Sequence, residues 1–215
     1  MKYRKVIFDW DGTLVDSVDH IASSLQQAAR ELEFPERSHE ELRHIVGLGM
    51  EEALNRLYPG ITRDDMLRLR KTYAGHFFSR ETTPEHLFPG VPELLTDLTS
   101  RGRQLAVATG KSRPGFDRGL QSSGLAPFFR LTRCADETAS KPDPRMLLEI
   151  LEAAGLHPGD AIMVGDTIYD LEMAQRIGMP AVGVTWGVHS EDQLKKHSPV
   201  AVVHRMDDLH DIVGG

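Results

Sequence analysis

The residues of this chain with the clearest chemical potential are two aspartates, Asp9 and Asp11, which directly follow a short apolar run. Residues 6–8 read Val-Ile-Phe, which is typical of a buried strand. Aspartate is unfavourable in strands and costly to bury unpaired, so this strand is expected to carry both carboxylates to a site at its carboxyl edge. Because side chains alternate along a strand, Asp9 and Asp11 lie on one side and Trp10 points away. On its own, Asp-x-Asp-Gly is also typical of a simple turn after an edge strand.

Three other segments place polar residues where a predicted strand ends or a predicted helix begins. In chain order they supply Thr109, Gly110 and Lys111 after a strand at 104–109, Lys141 before a long helix, and Asp166 and Asp170 after a strand at 161–165. In a parallel sheet with helices on both faces, ligands bind at the carboxyl ends of the strands. The carboxylates, a hydroxyl and a lysine are therefore expected to converge on one rim of the sheet.

Several carboxylates on one rim require a cation. Two like charges about 4 Å apart repel by about 4 kcal/mol at an effective dielectric of roughly 20. Since the candidate ligands are all oxygens, a hard divalent ion is expected, and Mg²⁺ suits a site shared with phosphate. Lys141 supplies a compact positive charge. Thr109 and the amides from Gly110 onward, just before a helix, can hold phosphate oxygens.

Each of these residues has a plainer explanation when it is taken alone. Thr109 is also typical of a helix cap, and Lys141 of a solvated loop lysine. Asp166 and Asp170 are also typical of a helix N-cap and of a surface carboxylate favoured by the helix dipole. A shared site is favoured because all of these residues occur, in order, at strand ends.

Two regions of different periodicity organise the chain. Residues 17–88 carry helical spacing, with a capping-box pattern at Ser38 and Glu41 and a cap at Thr62, and no strand is predicted there. This insert of about 70 residues is large enough to bundle on its own. From about residue 89, strands and helices alternate, which predicts an α/β fold with a doubly wound, mostly parallel sheet and right-handed crossovers. The remaining strands are predicted at 129–132, 181–185 and 200–203.

Composition places the chain among ordinary globular proteins. It has 215 residues, 40% of them hydrophobic, and a formal net charge of −7. Nucleic-acid binders are usually basic, so no nucleic-acid partner is expected. Cys134 is the single cysteine, which excludes an intramolecular disulfide and favours a small buried core residue. The first apolar run is too short for a signal peptide, and no stretch approaches the ~18 apolar residues of a membrane span, so a cytoplasmic protein without a membrane partner is expected.

Taken together, the four motifs resemble those of the haloacid dehalogenase-like (HAD) hydrolase superfamily. The branch is the one that includes phosphoglycolate phosphatase, pyrophosphatases and β-phosphoglucomutase. The stretch from Asp9 to Thr13 resembles the first motif, Thr109 the second, Lys141 the third, and 165–170 the fourth. The resemblance implies a Rossmann-like HAD core formed by residues 1–16 and 89–215, with a helical cap inserted at 17–88. It also implies a small phosphorylated metabolite as the substrate and a monomer or dimer.

The resemblance also implies roles for individual residues. Asp9 attacks phosphorus and forms an aspartyl-phosphate, while Asp11 acts first as the general acid and then as the base that activates water. The Asp9 side chain, the Asp11 backbone carbonyl, Asp166 and Asp170 hold Mg²⁺. The phosphoryl group is bound by Gly12, Thr13, Thr109, Gly110, Lys111 and Lys141. An aspartate at position 11 favours phosphate chemistry, since dehalogenation requires no leaving-group acid there.

The cap is expected to select the substrate and to exclude water, with hinges near 16–17 and 86–90. Its predicted substrate loop, residues 46–51, lacks the arginine that phosphosugar mutase relatives place there. Arg43 and Arg56 are alternative partners for a substrate carboxylate. A phosphosugar mutase, a pyrophosphatase and a non-catalytic phosphate-binding or regulatory protein remain as alternatives. The remaining expectations concern an apolar stripe on the fourth cap helix, at Met66, Leu69, Tyr73 and Phe77, and residues 186–189 as a flap near the cap or a structural loop.

Overall fold

The computed structural model describes residues 3–79 and 83–215, and its centre is one parallel β-sheet. The strands are β1 (Lys5–Phe8), β2 (Gln104–Thr109), β3 (Leu131–Cys134), β4 (Ala161–Gly165), β5 (Ala181–Val184) and β6 (Ala201–Val203). Their order across the sheet is β3-β2-β1-β4-β5-β6, and all the pairs run parallel. The predicted mostly parallel α/β sheet is confirmed.

β1 lies inside the sheet, which explains its apolar sequence. Phe8 pairs with Val107 of β2 on one side and with Val164 of β4 on the other. All residues of β1 are buried, as expected for a parallel strand with both faces covered. The carboxyl ends of β1, β2 and β4 therefore lie side by side, and the residues that follow them share one edge.

Helices cover both faces of the sheet. The α-helices of the described residues are α1 (Val18–Glu31), α2 (His39–His44), α3 (Met50–Leu57), α4 (Arg63–Phe77), α5 (Val91–Ser100), α6 (Arg113–Ser122), α7 (Arg145–Ala154), α8 (Ile168–Gln175), α9 (Glu191–Lys195) and α10 (Met206–Gly214). Phe8 packs with Phe116 of α6 on one face, and Ile7 packs with Met146 of α7 on the other. Two core layers therefore enclose the sheet. Across residues 3–79 and 83–215, no helix combines the length and the apolar character needed to cross a membrane.

Helices α1–α4 pack on one another around a hydrophobic core of their own. It contains Leu25 of α1, Leu54 of α3 and Leu69 of α4, all fully buried. The predicted capping box at Ser38 and Glu41 is present, and each residue's side chain bonds the other's backbone. These four helices thus bury their apolar faces mainly against each other.

The two connections between this helical region and the sheet run side by side. Val15 and Leu87 form an antiparallel bridge. Next to it, the Asp16 amide donates a hydrogen bond to the His86 carbonyl at 2.8 Å. Both predicted hinge segments therefore meet at one place beside the end of β1.

The structure departs from the sequence-based prediction at the sheet edge and at the C-terminal end. The third strand is predicted at 129–132, but β3 pairs with β2 only from Leu131 to Cys134. Phe129 instead packs its ring against Phe8, at 6.3 Å between centroids. Helices α9 and α10 are not predicted at all, although Ser190 and Gln193 form a capping box that marks the start of α9.

Candidate active site

Asp9 and Asp11 lie at the carboxyl edge of the sheet, and both carboxylates are buried. The Asp9 amide donates to the Val164 carbonyl at 2.9 Å, which fixes this residue beside the end of β4. Trp10 lies in the core, where its ring meets that of Phe116 edge-on at 5.0 Å. The alternation that the sequence predicts along this strand is therefore present.

Gly12 and Thr13 contact a third carboxylate, that of Asp166. Gly12 has a φ of +81°, a conformation that favours glycine, and a Cβ at this position would collide with the Asp166 carboxylate. The Thr13 hydroxyl donates to Asp166 Oδ1 at 2.7 Å. The Thr13 hydroxyl thus holds Asp166, and its expected contact with phosphate stays a prediction.

Lys141 is fully buried between two carboxylates. Its Nζ lies 2.7 Å from Asp9 Oδ1 and 2.7 Å from Asp170 Oδ1. Although burial opposes the charge, Asp170 and Asp9 raise the pKa of Lys141 above its usual value. The position of this side chain excludes a solvated loop lysine. Asp170 is fully buried as well, which excludes a surface carboxylate.

Burial and crowding also act on the carboxylates themselves. Burial, with a further contribution from Asp170, raises the pKa of Asp166 to about 7. Burial raises the pKa of Asp9 well above its usual range, and the charges of Asp170 and Asp166 add to this, while Lys141 opposes it. Lys141 alone therefore does not neutralise the three carboxylates. A further cation is needed for all three to be ionised together.

The geometry of the three carboxylates fits a metal ion. One oxygen each from Asp9, Asp166 and Asp170 lies within 4.8 Å of the others, and no other such group of histidine, cysteine, aspartate or glutamate side chains occurs in the described chain. Asp9 Oδ2 is buried and has no hydrogen-bond partner there. A set of hard oxygen donors with an unpartnered buried oxygen suits Mg²⁺.

Asp11 has different partners and stands outside this carboxylate group. Lys111 Nζ contacts both of its oxygens, at 2.9 and 3.0 Å. The Ser17 hydroxyl donates to Asp11 Oδ1 at 2.6 Å. Lys111 also lies 4.5 Å above the centre of the Phe77 ring. The lysine that the sequence assigns to phosphate binding is thus positioned between a carboxylate and an aromatic ring.

The segment after β2 makes a close approach to the helical region. The Thr109 hydroxyl accepts a hydrogen bond from the Lys111 amide at 3.2 Å. A Cβ on Gly110 would lie 2.6 Å from the Leu48 carbonyl oxygen, so only glycine fits at this contact. The predicted substrate loop, residues 46–51, therefore packs directly on the second predicted motif.

Residues 186–189, predicted as a flap or a structural loop, contact Asp166 directly. The Val188 amide donates to Asp166 Oδ2 at 2.9 Å. A Cβ on Gly187 would collide with the same carboxylate. On the other side of this loop, the Arg43 guanidinium donates to the Gly187 carbonyl at 3.3 Å. The loop therefore joins the third carboxylate to the helical region.

A cavity lies above Asp9 and Asp11, between the sheet edge and the helical region, and its empty space of about 870 Å³ includes open solvent. Neither Arg43 nor Arg56, the cations considered from the sequence, lines it. Arg43 pairs with Asp19, and Arg56 pairs with Glu52. Arg70, on α4, is the arginine that lines the cavity.

The structure thus brings the predicted residues into two adjoining groups. The first comprises Asp9, Lys141, Asp166 and Asp170, and the second comprises Asp11, Thr109, Gly110 and Lys111. Ser17 and Val188 are further contacts that sequence analysis does not assign. Ser17 is only six residues after Asp11, so its proximity was detectable, whereas Val188, within the loop predicted at 186–189, contributes only a backbone amide and carries no side-chain signal.

Comparison with known proteins agrees with this architecture. Residues 6–184 match the model of the family described as haloacid dehalogenase-like hydrolase. The chain is 37% identical over 213 residues to a probable phosphatase IndB of Dickeya dadantii, covering 97% of this chain and 91% of that protein. It is 32% identical to the pyrophosphatase PpaX of Bacillus pumilus, covering 97% of this chain and 95% of that protein.

A solved structure shows the same fold. The crystal structure of a predicted phosphatase from Clostridium acetobutylicum superposes with a TM-score of 0.86 at 26% identity, covering 99% of both chains. The family match spans most of this chain, and it includes the ends of β1, β2 and β4 that carry the carboxylate group. The chain therefore belongs to the haloacid dehalogenase-like hydrolase family.

Proposed function

We propose that the protein is a Mg²⁺-dependent phosphatase that hydrolyses a small organic phosphate monoester through an aspartyl-phosphate. The main support for the proposal is the environment of the Asp9 carboxylate. Asp9 lines the cavity, it is buried, and its Oδ2 has no hydrogen-bond partner among the described residues. A buried carboxylate that lines a cavity and has an oxygen without a hydrogen-bond partner is suited to nucleophilic attack. The phosphatase names of the relatives support the same reaction.

Mg²⁺ would be held by the side chains of Asp9, Asp166 and Asp170 and by the backbone carbonyl of Asp11. When bound, the ion would supply positive charge to the phosphoryl oxygens as negative charge builds up on them. Thr13 and Val188 orient Asp166 through the hydrogen bonds described above. Such outer contacts fix the direction of a metal ligand.

In the first step, an Asp9 oxygen attacks phosphorus, and the bond between phosphorus and the leaving oxygen breaks with its electron pair. Asp11 donates a proton to that oxygen, so an alcohol leaves and Asp9 carries the phosphoryl group. In the second step, Asp11 takes a proton from water, and the resulting hydroxide attacks phosphorus. The bond between Asp9 and phosphorus then breaks, which releases phosphate and restores both carboxyl groups.

The phosphoryl group would be bound by Thr109, the Gly110 amide, Lys111 and Lys141, with Gly12 and Thr13 contributing from the first motif. Lys141 also fixes Asp9, because its Nζ lies 2.7 Å from Asp9 Oδ1. Because these positive charges are already in position, the site does not have to reorganise when negative charge builds up on the phosphoryl oxygens in the transition state.

We further propose that residues 17–88 act as a cap on a core formed by residues 1–16 and 89–215. Two contacts support a closed cap: the Gly49 amide donates to the Ser140 hydroxyl at 2.8 Å, and the Tyr169 hydroxyl donates to the His44 carbonyl at 2.9 Å. Closure would exclude bulk water from the phosphoryl group, and opening would admit substrate.

The test is phosphate release from a panel of phosphorylated metabolites, measured with Mg²⁺, with a chelator and with the variant Asp9→Asn. Release that requires Mg²⁺ and that Asp9→Asn abolishes is the expected result. Trapping of radiolabelled phosphate on the wild-type chain, and not on the variant, would identify the acyl-phosphate. Mg²⁺-dependent release retained by Asp9→Asn would refute Asp9 as the nucleophile. Binding of Mg²⁺ and phosphate analogues without turnover would favour a non-catalytic protein.

A further inference from the structure

The cavity beyond the carboxylates has an almost entirely apolar wall. The wall includes Ile45, Val46, Leu48, Tyr73, Ala74 and Phe77. The rings of Tyr73 and Phe77 stack with 5.6 Å between centroids and 27° between planes. The Phe77 ring also carries Lys111 Nζ at 4.5 Å and the stacked ring of His20 at 4.9 Å, and only 6% of Phe77 is exposed, whereas Tyr73 is partly exposed.

The charges along this cavity are nearly all paired with each other. Asp9 pairs with Lys141, and Asp11 pairs with Lys111. Arg70 is the remaining charged residue of the lining, and it makes no hydrogen bond or ion pair within residues 3–79 and 83–215. Because its side chain is exposed, Arg70 lies at the mouth of the cavity and not against the carboxylates.

The Tyr73 hydroxyl adds one polar group to the wall. It makes no hydrogen bond within the described part of the chain. Burial and the neighbouring Asp11 raise the pKa of Tyr73, so this hydroxyl remains a neutral donor. The wall therefore offers apolar contact and one hydrogen bond, and it offers no fixed positive charge close to the phosphoryl site beyond the two paired lysines.

Such a wall discriminates between classes of phosphate ester. Against these apolar side chains, the second phosphate of pyrophosphate or the carboxylate of phosphoglycolate would be desolvated, which is strongly unfavourable unless the anion reaches the exposed Arg70. A ring, in contrast, would gain apolar burial against this wall and an aromatic contact with the partly exposed Tyr73.

We propose that the substrate is a phosphate monoester of an uncharged, ring-bearing alcohol, whose ring packs against Tyr73 and Phe77. This inference rests on the proposed phosphatase function and identifies the substrate class of the same site. Asp11 then protonates an alcohol oxygen, and the products are a neutral ring-bearing alcohol and inorganic phosphate.

The experiment compares kcat/KM for four compounds in the presence of Mg²⁺: 2-phenylethyl phosphate, ethyl phosphate, phosphoglycolate and pyrophosphate. The first two share an alkyl leaving oxygen and differ by the ring. We expect 2-phenylethyl phosphate to exceed each of the others by at least about tenfold, as for differences in apolar contact within a pocket. Equal or higher values for ethyl phosphate, phosphoglycolate or pyrophosphate overturn the inference and leave the phosphatase proposal standing. Release from none of the four and from no member of the metabolite panel overturns the phosphatase proposal itself.

Variants of α4 test the wall directly. Phe77→Leu keeps an apolar side chain and removes the ring, so the preference for 2-phenylethyl over ethyl phosphate should fall by about tenfold. Ala74→Lys adds a cation to the wall and should raise kcat/KM for phosphoglycolate relative to 2-phenylethyl phosphate. Leu67→Ala is the matched control, because Leu67 lies on the same helix and is 53% exposed. A preference that neither Phe77→Leu nor Ala74→Lys alters would overturn the inference.

Discussion

Replacing Lys141 with methionine removes the ammonium group from a cluster of buried carboxylates and keeps most of the side chain's apolar length. In the wild type, Lys141 Nζ lies 2.7 Å from both Asp9 and Asp170. At an effective dielectric of about 20, each contact corresponds to a gross attraction of about 6 kcal/mol, which the cost of desolvating the charges largely offsets. Removing one partner of a buried ion pair typically costs about 3–5 kcal/mol, since the remaining charge is unpaired.

We therefore expect the free energy of unfolding of Lys141→Met, measured by urea denaturation in a chelator, to lie about 3–5 kcal/mol below that of the wild type. Mg²⁺ should stabilise the variant more than the wild type, because the ion replaces the missing positive charge. Phosphate release should fall by at least about 100-fold, as for loss of one preorganised electrostatic group.

The matched control is Lys195→Met. Lys195 also pairs with a carboxylate at 2.6 Å, but its side chain is 59% exposed. Exposed ion pairs contribute little to stability, so the free energy of unfolding of this variant should match that of the wild type. Equal stability of Lys141→Met and wild type in chelator, or equal stabilisation of both by Mg²⁺, would refute the argument from buried charge.

Three further predictions follow from close contacts and from burial. In Gly187→Ala, the new Cβ collides with Asp166, so Mg²⁺ affinity measured by calorimetry should fall at least about tenfold; unchanged affinity would contradict this. In Gly110→Ala, the new methyl group would lie too close to the Leu48 carbonyl oxygen, which strains the closed cap. KM for phosphate esters should therefore rise, and an unchanged KM would contradict this. Burial raises the pKa of the Cys134 thiol to about 12, so labelling by a thiol reagent should be slow from pH 7 to 9 and fast only after unfolding; rapid native labelling that rises with pH would count against it.

The core of the site is predictable from the sequence because burying its charged residues costs free energy unless they have partners. Asp9 and Asp166 follow apolar strands directly, and a buried carboxylate needs a partner or a cation. The pairing of Lys111 with Asp11 is not predictable in the same way. A lysine two residues after β2 reaches several acceptors, and only the three-dimensional path of the chain decides among them.

The cavity wall could not be predicted, because a helical stripe has the same spacing whichever surface it faces. Leu69, Tyr73 and Phe77 follow one periodicity on α4. In the structure, Leu69 is buried in the core of helices α1–α4, whereas Tyr73 and Phe77 line the cavity above the sheet edge. The sequence also leaves Arg70 undistinguished from other surface arginines. The residues that would select a substrate are therefore harder to predict from the sequence than the residues that would catalyse its hydrolysis.

The bridge between Val15 and Leu87 means that the chain enters and leaves the helical region at nearly the same point. In topological terms, everything between these two residues is one long loop inserted between β1 and α5. The entropy of closing a loop grows only logarithmically, by about 0.6 kcal/mol for each doubling of length. Recombination at the Val15–Leu87 bridge could exchange the intervening helices for an insert of another size or shape while Asp9 and Asp11 keep their positions. Substrate selectivity could then change while the catalytic residues stay the same.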